Sequence, residues 1–147
     1  MEPGGDFPLR NPLIGKLLAQ FIYRGGDFPL INKEVENDFI MTAVIEDNSS
    51  AVAFYELLQK GDVTVKMHDY GTFEKVGSLP KSLPRNDKQI ITTPGDIILY
   101  QGNQITIYYD VNNWNFTKLG KVEGKTQEGL KQILGKGDVT AVFSVME

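Results

Sequence analysis

An internal duplication frames this chain. Lys60-Gly61-Asp62-Val63-Thr64 recurs unchanged as Lys136-Gly137-Asp138-Val139-Thr140. The likeness extends upstream, where Ser50 aligns with Thr126, Phe54 with Leu130, Leu57 with Ile133 and Leu58 with Leu134. Each copy begins with a hydroxyl side chain that can accept from the free N–H groups of a first helical turn. Apolar residues then follow at i, i+3 and i+4, the spacing of one buried helix face, and glycine closes the segment before a β-rich run. The sequence therefore predicts two short helices, each leading into a buried strand. Asp62 and Asp138 read as turn residues at those junctions, not as catalytic acids.

The remaining signal from residue 38 onward is mostly β. Residues 39–45, 62–67, 96–100, 104–109 and 138–143 are rich in β-branched and aromatic side chains. The link Gln101-Gly102-Asn103 is short and turn-prone, so the runs on either side of it are predicted to form a hairpin. Many short strands with two helices imply a mainly β fold: a closed antiparallel barrel with one helix capping each open end. The size fits. A chain of 147 residues buries roughly 68–70% of its unfolded surface, enough for one core, and 41% apolar residues with a net charge of −4 exclude a disordered polymer.

Residues 1–37 read differently. Gly4-Gly5-Asp6-Phe7-Pro8-Leu9 recurs as Gly25-Gly26-Asp27-Phe28-Pro29-Leu30. Between the copies, apolar residues at 13, 14, 17, 18, 21 and 22 follow a helical period after Pro12, which suits a first turn. The expectation is an N-terminal amphipathic helix over 12–23 within an arm spanning 1–37, followed by a barrel domain over 38–147. Lys16 and Gln20 interrupt the apolar stretch and no basic segment precedes it, which argues against a signal peptide. The apolar stripe either docks on the barrel or makes the arm a dimerising element.

Two helices on an antiparallel barrel are the architecture of cyclophilins, and the chain resembles the small bacterial cyclophilin-like domains over roughly 38–147. The resemblance is carried jointly by several segments: Ile45-Glu46-Asp47-Asn48-Ser49-Ser50; Asp69-Tyr70-Gly71 with Glu74-Lys75-Val76-Gly77; and Leu79-Pro80 with Leu83-Pro84. It continues through Pro94-Gly95-Asp96-Ile97-Ile98-Leu99-Tyr100-Gln101-Gly102-Asn103, then Asn112-Asn113-Trp114 with Thr117, and Leu119-Gly120-Lys121. Some members of that group are attached to flavodoxin-type domains, so the resemblance implies a flavodoxin-like partner. It implies the fold far more directly than an activity.

Catalysis finds little support among the residues. Without cysteine there is no thiolate nucleophile, disulfide or Cys-based metal site, and one histidine with scattered carboxylates leaves no recognisable metal cluster. No cofactor is expected. No serine sits in a nucleophile elbow to pair with His68. Prolyl isomerisation needs an apolar pocket and an arginine aimed at the twisted amide, and Arg85 is the one arginine in the barrel region. An acidic pI near 5.0 argues against nucleic acid, and no apolar run approaches the ~20 residues of a membrane helix. The expected location is the cytoplasm.

Binding is the stronger reading. Tyr100, Tyr108, Tyr109, Trp114 and Phe116 concentrate aromatic surface around the hairpin and the segment after it, interleaved with Asn103, Asn112, Asn113 and Asn115. Aromatic walls with amide rims suit a peptide or small-molecule ligand. The candidate ligand-binding set is Glu74, Tyr100, Asn103, Tyr109, Asn113 and Trp114. Alternation through Ile105, Ile107 and Tyr109 equally fits a face buried in the core. Three functional readings stand: a non-catalytic binding module, a weak prolyl isomerase using Arg85, and a homodimer built through the arm.

Overall fold

The computed structural model describes residues 16–23, 40–70, 74–134 and 137–145. Among these residues, nine strands and two helices follow in chain order: β1 (Lys16–Tyr23), β2 (Ile40–Ile45), α1 (Ser49–Gln59), β3 (Val63–Tyr70), β4 (Glu74–Ser78) and β5 (Lys88–Ile91) come first. Then come β6 (Asp96–Tyr100), β7 (Gln104–Tyr108), β8 (Asn113–Val122), α2 (Gln127–Leu134) and β9 (Val139–Val145). The strands form one curled antiparallel sheet in the order β2-β1-β9-β3-β4-β7-β6-β8-β5. β2 pairs with β8 as well as with β1, with Ala43, Val44 and Ile45 opposite Val122, Lys121 and Gly120. That junction is tight: a Cβ on Gly120 would sit 2.5 Å from the Val44 carbonyl oxygen.

The N-terminal helix is a correction. Residues 16–23 run as a strand, antiparallel to β2 on one side and β9 on the other. An apolar run of this length satisfies a helical period and a strand bonded on both edges equally well, and the two waiting ladders decide it. Residues 12–15 of the expected helix and both copies of the Gly-Gly-Asp-Phe-Pro-Leu repeat lie outside the described residues.

Both duplicated helices are present where the repeat put them. Phe54 and Leu58 of α1 and Leu130, Ile133 and Leu134 of α2 enter one apolar core with Val65, Met67, Ile97, Leu99, Ile105, Ile107 and Phe143. Phe54 meets Phe143 edge-on, with ring centroids 5.8 Å apart. Thr126 caps α2, its hydroxyl accepting from the Gly129 N–H at 3.0 Å. Ser50 does not cap α1. That role belongs to Asn48, which accepts from the Ala51 N–H at 2.8 Å, while the buried Ser50 hydroxyl donates to the Pro84 carbonyl.

The hairpin forms as expected, with Gln101 and Gly102 both at positive φ in its turn. Its backbone anchors the loop that follows β4: Leu79 N–H donates to the Asn103 carbonyl and Leu83 N–H to that of Gly102. One feature lacks a local signal. β8 pairs with β5 through its first half and with β6 and β2 through its second. The change occurs near a register shift: Ile97 faces Gly120 but Ile98 faces Lys118, leaving Leu119 as an extra residue. Such a bulge bends a strand. It lets the start of β8 fold over the sheet's other face.

Candidate functional site

Side chains alternate across a strand, so the core residues of β3, β4, β6 and β7 leave a second set on the opposite face. The ladder registers align that set in rows. Tyr70, Glu74 and Tyr108 lie side by side across β3, β4 and β7, and the next row holds His68, Val76 and Thr106. Tyr100 pairs with Gln104 a further step along. Over this face lies the start of β8, whose alternate residues Trp114 and Phe116, with Asn112 before them, complete a cavity of about 430 Å³. Phe116 packs against Tyr108 and Tyr100 at centroid distances of 5.6 and 6.1 Å. Ile98, Tyr108 and Phe116 form a small apolar cluster separate from the main core.

Glu74 is the chemical centre of the cavity. It is buried, 7% exposed, and its carboxyl is hydrogen-bonded by the Tyr108 hydroxyl, which in turn receives the Asn112 side-chain amide at 3.2 Å. Burial raises the Glu74 pKa above the ordinary value, and the Tyr108 hydrogen bond offsets part of that rise. Burial also pushes the Tyr108 hydroxyl up, reinforced by the facing carboxyl. Tyr108 is therefore a neutral donor throughout the physiological range. Asn112, Tyr108 and Glu74 make a directed chain of donors ending on a carboxyl that lines the cavity.

A second polar cluster braces Glu74 from behind. Lys75 points to the other face of β4, with its side chain fully buried, and its ammonium lies 2.8 Å from Asp69 Oδ1 and donates to the Gly137 carbonyl. Tyr109 Oη donates to the same Asp69 oxygen at 2.9 Å, and the Gly137 N–H donates to Asp69 Oδ2 at 3.1 Å. Burial alone would raise the Asp69 pKa, but these partners bring it below the ordinary carboxylate value. The ends of β3, β4 and β7 and the turn before β9 are tied at one point.

Three of the candidate residues, Glu74, Tyr100 and Trp114, line the cavity together. The other three do not. Asn103 is exposed in the hairpin turn, Tyr109 packs in the main core, and Asn113 is exposed on the reverse of β8. In their places the cavity has the sequence neighbours Gln104, Tyr108 and Asn112. His68 and Tyr70, not among the candidates, stand exposed at its edge because β3 continues to Tyr70. Arg85 is outside the lining. Its side chain is 54% exposed and its guanidinium pairs with Asp87 at 2.5 Å, so it is not directed into an apolar groove.

Among the described residues no group of three His, Asp or Glu side chains is placed to hold a metal ion, and no helix is long and apolar enough to cross a membrane. No curated protein matches the chain. The solved structure of McbB in complex with tryptophan is similar in fold, with a TM-score of 0.55 at 10% identity, covering 88% of this chain and 44% of McbB. This chain thus spans less than half of McbB's length. A curled antiparallel sheet with two helices in its core agrees with the match of residues 36–144 to the cyclophilin-like family, and the chain belongs to that family.

Proposed function

We propose that the chain is a small-ligand binding module whose site is the cavity between the β3–β4–β7–β6 face and the start of β8. The buried Glu74 carboxyl in an aromatic-walled cavity carries this reading. A carboxylate removed from water with few partners costs stability. Such perturbed groups concentrate in clefts where they meet a ligand. About 430 Å³ lies within the ~300–1,000 Å³ typical of small-molecule sites. The likeness to McbB supports the fold, and the ligand reading rests on the cavity alone. The same reading takes the sheet as a complete barrel, supported by the β2–β8 pairing, with the cavity on its outer surface.

Trp114 is the single tryptophan and stands 58% exposed at the cavity, so its fluorescence reports occupancy. Titration with aromatic fragments and with an Ala-Pro peptide, while following the peptide's cis–trans exchange, tests the proposal. Saturable fluorescence changes without faster exchange support a binding module. Faster exchange that disappears in Arg85→Ala would establish the isomerase instead.

A further inference from the structure

Resting on the reading of this cavity as a ligand site, we infer that its occupant is an organic cation: a protonated amine carried on a flat aromatic or apolar body. Charge balance is the first ground. Among the described residues lining the cavity, Glu74 is the single carboxylate, and neither lysine nor arginine is present. No ion pair joins Glu74 to any described residue, because the adjacent Lys75 is turned to the opposite face and held there by Asp69 and the Gly137 carbonyl. The remaining titratable groups in the lining are His68, Tyr70, Tyr100 and Tyr108.

Acceptor capacity is the second ground. An ionised carboxylate has about four lone-pair sites. Tyr108 fills one of them, and the Glu74 carboxyl lines the cavity. An ammonium group brings up to three donors and the missing charge, and such charge-assisted bonds are roughly twice as strong as neutral ones. The walls are the third ground. Tyr100, Tyr108, Trp114 and Phe116 line the same cavity as Glu74, and aromatic ring faces attract cations. Aromatic faces and the Glu74 carboxylate both repel an anion, whereas a neutral guest brings no charge to balance that carboxylate. Burial of Glu74 strengthens the case, since an incoming cation favours the ionised form most where water is excluded.

The test is calorimetric titration of the wild type and of Glu74→Gln with 2-phenylethylamine, 2-phenylethanol and phenylacetate at neutral pH. These probes share a ring and differ in the charge of the polar end. The wild type should bind the amine at least about tenfold more tightly than the alcohol, and phenylacetate most weakly. In Glu74→Gln the amine should fall to the level of the alcohol, and a cooperative thermal transition reports that the variant is folded. Equal binding of amine and alcohol, or a preference for phenylacetate, overturns the cation inference and leaves the ligand site intact. A wild-type protein silent to all three probes overturns both.

Discussion

Glu74 on β4 and Tyr108 on β7 are cross-strand partners whose side chains hydrogen-bond on the sheet face turned away from the main core. The pair has a thermodynamic signature. Burial sets the folded pKa of Glu74 above its ordinary 4.5, so the native state holds this proton more tightly than the unfolded chain. Stability from this group is then fully present below pH 4.5 and is lost as pH rises through the folded value. Glu74→Gln keeps an acceptor for Tyr108 and removes the titration. Urea denaturation across pH should find the variant gaining on the wild type between acid and neutral pH. A wild type that gains on the variant over that range contradicts the buried carboxyl.

The Asp69–Lys75 pair carries the opposite sign. The folded pKa of Asp69 lies below its ordinary 3.8, so its contribution is present above that value and is lost as pH falls through the folded one. Asp69→Ala leaves a fully buried ammonium with fewer partners. Because Asp69 itself is 34% exposed, the loss should fall between the surface and buried limits, on the order of 2 kcal/mol at neutral pH. Lys75→Met in the Asp69→Ala background should recover much of it, which a double-mutant cycle measures.

Gly120→Ala tests the β2–β8 junction. The added methyl meets a backbone oxygen at 2.5 Å, which no rotamer change relieves. A destabilisation of about 1–3 kcal/mol is expected, with faster amide exchange along Ala43–Ile45 and Gly120–Val122. Unchanged exchange there would mean that these strands are not held together in solution.

Deleting residues 1–37 removes β1 from between β2 and β9. Two ladders are lost at once, and the expected cost is comparable to the whole ~5–15 kcal/mol that stabilises a typical domain. The truncated chain should lose its cooperative thermal transition. A peripheral dimerising arm would behave otherwise, leaving the transition intact and halving the mass seen by light scattering.

Much of the fold was legible because its signals are local. The duplicated helix-then-strand units, the hairpin at Gln101-Gly102-Asn103 and the core face of Ile105, Ile107 and Tyr109 all appear in the structure. β1 was not legible. Its apolar spacing fits a helix, and only strands distant in sequence select the extended form. In the candidate site the differences follow a parity. Asn103, Tyr109 and Asn113 each lie one residue from a cavity residue, Gln104, Tyr108 and Asn112 respectively. The alternation that buries 105, 107 and 109 puts 104, 106 and 108 on the other face. The contribution of β8 to the cavity depends on the irregularity near Leu119, which no turn residue announces.

The most direct measurement is a two-dimensional amide NMR titration of the isotope-labelled protein with 2-phenylethylamine. A smaller recess of about 120 Å³ beside α1, lined by Leu57, Lys81 and Leu83, provides an internal control. Saturable shifts centred on Glu74, Thr106, Tyr108 and Phe116, with residues 53–60 and 81–84 unmoved, are the expected result. Shifts confined to that recess, or an unchanged spectrum, would contradict the assignment of the aromatic cavity as the binding site.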